Sequence, residues 1–157
     1  MKINIISVGH KPPKWTEDGC REYLKRFQRD LSITLTDIKP AFRIGDTDKN
    51  HLARMKEKDR ILSKSNKNAD MIALDESGTQ TTTNELAELL THCMTEGRDL
   101  DFVIGGADGL APEIKMQADK TISLSRMTYP HALARLILIE QLYRTPSIIK
   151  NHPYHRE

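Results

Sequence analysis

Leu100-Asp-Phe-Val-Ile-Gly-Gly106 (LDFVIGG) decides how the rest of this sequence is read. An apolar, β-branched run that stops at glycine reads as a buried strand entering a tight turn. The turn continues as Ala107-Asp108-Gly109-Leu110, so three glycines fall within five residues. Glycine lets backbone approach a neighbour or a ligand with no side chain between. The loop is no dinucleotide fingerprint: it lacks G-x-G-x-x-G and follows the fourth predicted strand, not the first. No Walker loop occurs elsewhere. Two readings stay open for Gly105, Gly106 and Gly109: a tight strand-to-helix connection, or backbone that faces a ligand.

Outward from this stretch, strands and helices alternate. KINIISV (2–8), SITLTDI (32–38), ADMIALD (69–75) and KTISLS (120–125) have the apolar and β-branched content of strands. Helical spacing covers 15–29, 48–65, 84–95, 111–118 and 130–144, with Gly97 ending the third helix. Residues 39–47 and the run ESGTQTTTNE read as loops. This order predicts an α/β fold, a mostly parallel sheet with helices on both faces. In such sheets ligands bind beyond the carboxyl ends of strands. That points to Leu74, Ile104 and Leu124, where three predicted strands finish.

The chain has 157 residues, and no linker divides it, so one domain over 1–157 is expected. With 38% hydrophobic and 29% charged residues it has the composition of a globular protein. It shows no signal peptide and no run of about 20 apolar residues, so neither export nor membrane insertion is expected. Cys20 and Cys93 form no motif and read as reduced thiols of a cytoplasmic protein; no metal site is expected. Net charge is +2, but residues 1–67 carry 16 Lys and Arg against 9 Asp and Glu, while residues 68–157 carry 8 against 13. A basic first half can attract phosphates; interleaved acids fit solvated helix faces equally.

LSRMTYPH (124–131) joins the last strand to the last helix, with Ser125 and Thr128 as possible caps and Pro130 suited to a first turn. Free backbone N–H groups there can meet a ligand. The helix ALARLILIEQLYR is apolar nearly all round, so it should be buried on more than one side. A homodimer would supply the second partner. His131 and Arg135 share one face; Glu140 and Arg144 share another, where a plain i,i+4 ion pair is the simplest reading. The last seven residues, NHPYHRE, concentrate His152, Tyr154, His155 and Arg156. They are either a solubilising polar tail or groups able to move protons and hold phosphate.

IGGADGL, LSRMTYPH, IEQLYR and NHPYHRE, in this order and spacing, resemble the RlmH family. These are the ribosomal large-subunit pseudouridine N3-methyltransferases, a minimal branch of the SPOUT class. The resemblance runs from VGHKPPKW to the final YHRE. It implies an α/β trefoil-knot (SPOUT) methyltransferase fold, which periodicity alone does not show, since chains are generally unknotted. It implies a homodimer, with S-adenosyl-L-methionine held by Leu74, Gly105, Gly106, Leu124, Ser125, Arg126, Met127, Thr128 and Tyr129. It implies a pseudouridine of 23S rRNA as substrate, methylated on the assembled ribosome. The tail of one subunit would then close over the cofactor site of the other.

Methylation at N3 of a pseudouridine requires an in-line approach and removal of the imide proton. Candidate bases are His155, then Glu140, then His131; Tyr154 would stack on or orient the base. Arg156 and Arg144 would stabilise the anion or hold phosphate.

Overall fold

The computed structural model describes residues 1–27, 31–43 and 47–149. The elements alternate as read from the sequence. They are β1 (Lys2–Val8), α1 (Lys14–Leu24), β2 (Ser32–Ile38), α2 (Thr47–Leu62), β3 (Ala69–Gln80), α3 (Thr83–Thr95), β4 (Asp99–Ile104), α4 (Pro112–Gln117), β5 (Lys120–Ser123) and α5 (His131–Ile149). The strands form one sheet in the order β2-β1-β4-β3-β5, and every neighbouring pair is parallel. The chain runs outward from β1 to β2, crosses to β3, returns to β4 and then passes over β3 to β5.

Side chains alternate across the sheet, as a period of two requires. Ile3, Ile5, Ile72, Leu74, Leu100 and Phe102 pack against α1, α3 and α5 through Cys20, Leu90 and Leu138. Ile6, Val8, Ala73 and Val103 face the other way, against Ile61 of α2 and Ile114 of α4. Asp101 is buried on this second side, and its carboxylate accepts the Asn66 N–H at 2.6 Å. Burial pushes its carboxyl above the ordinary value. Cys20 and Cys93 are free thiols, both buried, and burial raises both.

The structure departs from the sequence reading at several places; α2, for one, ends at Leu62, three residues before its expected end at 65. β3 does not end at Asp75; it resumes at Thr79, within the stretch expected to be loop. Leu74 and Thr79 both lie in register with Ile122, so residues 75–78 bulge out between them. Gly78 makes this possible: a β-carbon there would lie 2.6 Å from the carbonyl carbon of Ile122. α1 ends at Leu24, and Trp15 is 62% exposed, not packed. Tyr23 and Phe27 instead pack on the Tyr143 ring of α5. α3 opens one residue earlier than expected, on a capping box between Thr82 and Glu85.

α5 continues through Pro146, beyond its expected end at residue 144. Proline has no N–H to give the carbonyl four residues back. The hydroxyl of fully buried Thr145 takes that place, donating to the Leu142 carbonyl at 2.8 Å. Leu138, Ile139 and Leu142 of this helix are fully buried. Leu133, Ile137 and Ile148 are half-buried, and Ile149 is exposed.

Candidate active site

A cleft of about 990 Å³ opens beyond the carboxyl ends of β3, β4 and β5, closed on one side by the start of α5. Leu74, Ile104 and Leu124, the three strand ends singled out above, line it. Leu74 and Ile104 are buried, so they give the cleft an apolar floor.

The glycine turn after β4 forms one wall. It folds back on itself: Gly109 donates its N–H to the Gly106 carbonyl at 3.0 Å, and Gly109 has φ +74°. A β-carbon at Gly105 would lie 2.6 Å from Gly109 backbone and 2.7 Å from the Leu110 nitrogen. The loop is the tight turn of the first reading, and it also lines the cleft. Asp108 is fixed by Arg43, whose guanidinium also meets Glu57 at 3.2 Å. Glu57 is only 2% exposed and accepts the Ala41 N–H at 2.9 Å.

The bulge in β3 forms a second wall. Asp75 accepts the Ser77 N–H at 3.0 Å and the Ser77 hydroxyl at 2.5 Å, and meets Lys115 at 3.3 Å. Burial works to raise this carboxyl, but the bonds from Ser77 and Lys115 outweigh it and hold Asp75 below its ordinary value. The segment between β5 and α5 forms the third wall. Ser125 accepts the Met127 N–H on its hydroxyl at 3.0 Å. Thr128 does not cap α5; its hydroxyl donates to Glu76 at 3.1 Å and ties this segment to the bulge. The Pro130 carbonyl accepts the N–H groups of Leu133 and Ala134, each at 2.9 Å, and opens the helix.

Of the expected cofactor residues, Leu74, Gly105, Gly106, Leu124, Ser125, Met127, Thr128 and Tyr129 line this cleft, and Arg126 does not. His131 lines it too. Burial lowers the His131 imidazole, and Arg135 and His10 nearby lower it further. Glu140 and Arg144 form the expected i,i+4 ion pair at 2.5 Å, but outside this cleft. Counted from His131, Glu140 lies about two and a half turns and Arg144 about three and a half turns further along α5. Arg144 lines a separate cavity of about 500 Å³ with Thr82, Thr83 and Gln141, and Leu124 reaches both cavities. Tyr154, His155 and Arg156 lie outside the described residues.

Sequence reading missed Asp75, Glu76, Asp108, Lys115 and Arg54, all of which line the cleft. Asp75 follows Leu74 at the strand end, a signal that was available. Arg54 sits inside a charged helix with nothing in its spacing to mark it. Its Nε is buried with no partner among the described residues. Among those residues no group of His, Cys, Asp and Glu is placed to hold a metal, and no helix is long and apolar enough to cross a membrane.

A parallel sheet whose glycine turn and strand ends enclose such a cleft makes this an α/β protein with an opening where that architecture places its ligand sites. The family described as predicted SPOUT methyltransferase matches residues 1–155. A ribosomal RNA large subunit methyltransferase H from Dechloromonas aromatica is 48% identical over 157 residues, covering 100% of this chain and 99% of the relative. One of the same name from Thiobacillus denitrificans is 51% identical, covering 100% of each. A third, from Burkholderia mallei, is 46% identical over 156 residues, or 99% of each chain. The chain belongs to the SPOUT methyltransferase family, in the RlmH group that the resemblance indicated, and it is a methyltransferase.

Proposed function

We propose that this methyltransferase moves a methyl group from S-adenosyl-L-methionine to N3 of a pseudouridine in 23S rRNA, acting on the assembled ribosome in the cytoplasm. The observation that carries this reading is the cleft where the strand ends, the glycine turn and the segment 124–131 meet. Its volume suits a nucleoside-sized cofactor. Leu74, Ile104 and Leu124 offer an apolar surface to an adenine ring. Asp75, held ionised, and Glu76 offer acceptors to ribose hydroxyls or an ammonium group. The close approach of backbone at Gly105 leaves room that any side chain would fill.

When bound, the cofactor supplies an electrophilic methyl group on a sulfonium. The protein's share is to hold the base in line, exclude water and take the imide proton. His131 stands at the cleft, where an imidazole could take that proton. His155 and Glu140 are the other candidate bases, with Tyr154 orienting the base and Arg156 or Arg144 facing the developing charge.

A homodimer fits this arrangement. Glu140 and Arg144 stand away from the cleft of their own subunit, so a role at a methylation site needs a second copy. The half-buried Ile137 and Ile148 and the exposed Ile149 leave α5 an apolar face for that copy. The trefoil knot and the single domain over 1–157 belong to the same reading, through the family. Sedimentation at micromolar concentration should give twice the monomer mass.

The decisive experiment supplies labelled S-adenosyl-L-methionine to ribosomes lacking this methyl group, with ribosomes lacking the pseudouridine as control. Label in the first and not the second is expected. Label in both would move the target to another nucleotide. Label in neither, with cofactor binding intact by calorimetry, would move it to another RNA.

A further inference from the structure

A second cavity, of about 670 Å³, opens on the same edge of the sheet, beyond the carboxyl ends of β1 and β2. Gly9 and His10 follow β1, Lys39 follows β2, and Arg135 reaches in from α5. One residue separates it from the cleft. His131, which lines the cleft, lies against Gly9, which lines the cavity; a β-carbon at Gly9 would come within 2.5 Å of His131 Nε2.

The charges around this cavity do not cancel. Arg135, 4% exposed, is paired with Asp37 at 2.5 Å, and its Nε is buried with no hydrogen-bond acceptor among the described residues. Arg21 is neutralised by Glu17 and Asp18, at 3.8 and 3.7 Å. Among the described residues, Lys11 and Lys39 have no carboxylate partner, and both are exposed at the cavity rim. Arg60 adds a third cation beside them by donating to the Lys39 carbonyl at 2.5 Å. Carboxyl ends of parallel strands are where this architecture binds ligands, and the surplus charge there is positive. Flexible ammonium groups at an open rim suit a phosphodiester passing over the surface, more than a small anion that needs enclosure.

We infer that this cavity holds a backbone phosphate of the RNA strand next to the nucleotide being methylated, with Lys11 and Lys39 as its two contacts. The inference rests on the RNA-methylation reading above. A strand whose base enters the cleft must carry its neighbouring phosphates across the adjoining surface. Gly9 and His131 touch, so the cavity and the cleft share this wall.

The test uses the full-length protein and ribosomes lacking the methyl group, with Lys11→Gln, Lys39→Gln and the double variant. Lys2→Gln, at the opposite end of β1, is the control. Ribosome affinity is measured directly across a salt series, beside methyl transfer and calorimetric titration of S-adenosyl-L-methionine. Each cavity variant should flatten the logarithmic salt slope of ribosome binding by about 0.7–0.9. The double variant should weaken ribosome binding and raise KM about tenfold near physiological salt. Cofactor affinity, kcat and the Lys2→Gln slope should not move. An unchanged slope in the double variant, an equal change in Lys2→Gln, or a loss of cofactor affinity would each overturn the inference. A wild-type protein that binds ribosomes with a steep salt slope but transfers no methyl group would fail the functional reading alone, and the slopes would still decide this site. A wild-type protein that neither binds nor methylates ribosomes would overturn both.

Discussion

Arg43 and Asp108 stand 65 residues apart in sequence and form an ion pair that fastens the segment after β2 to the glycine turn after β4. Glu57, almost fully buried, shares the same guanidinium. Arg43→Ala would leave that carboxylate without its cation. Removing one partner of a buried pair costs about 3–5 kcal/mol, and the partial exposure of Arg43 places this case near about 3 kcal/mol. Urea unfolding checks the stability. Calorimetry should also show weaker cofactor binding, because the turn loses its tether. Arg43→Lys keeps the charge but not the fork, and should recover only part of either loss.

Gly78→Ala should damage the bulge more than its size implies. The added carbon would meet Ile122 and Thr121 backbone at 2.6–2.8 Å, and backbone cannot swing aside. A destabilisation of about 1–3 kcal/mol is expected from such overpacking. Thermal melting reads it. Since Asp75 and Glu76 lie in the bulge, cofactor affinity should fall with it, and an unchanged titration would refute the role given to the bulge.

The lowered His131 imidazole links stability to pH. An unfolded histidine titrates near about 6.5. Above that value neither state holds the proton, and the contribution of this residue is whole. As pH falls below it, the unfolded chain binds protons that the native imidazole, held down by burial with Arg135 and His10 nearby, takes up only at lower pH. Stability therefore drops with falling pH in that window. His131→Gln should flatten the drop in denaturation midpoints measured between pH 7 and pH 5, relative to wild type.

Thr145→Val should cost about 1–3 kcal/mol, the price of a buried carbonyl left without a donor. The shape is nearly kept and the residue is fully buried, so the lost bond to Leu142 is the main change. Circular dichroism should show the end of α5 melting at lower urea than the rest of the protein.

The strands were legible because Ile, Val, Leu and Phe mark them plainly, and the alternating order then fixed the site at their carboxyl ends. Leu74, Ile104 and Leu124 meet where that rule placed them. Glu76-Ser77-Gly78 misled because local composition says turn, while the structure uses Gly78 for a close crossing and then resumes the strand. α5 runs on past residue 144 because a hydroxyl one residue before Pro146 takes the place of the missing N–H, which no propensity encodes. Arg43 and Asp108 were invisible as partners, since their ion pair joins segments 65 residues apart in sequence.

The strand order has a consequence for how the enzyme is made. β1 lies between β2 and β4, and Ile3 waits for Leu100, some 97 residues later, as its partner. The cleft needs residues 74–78, 104–110 and 123–131 together. A growing chain therefore offers no partial version of it before residue 131 has been added. Pairings this distant in sequence are slow to find. Until β4 has been made, the nascent polypeptide carries an apolar strand with one flank unoccupied.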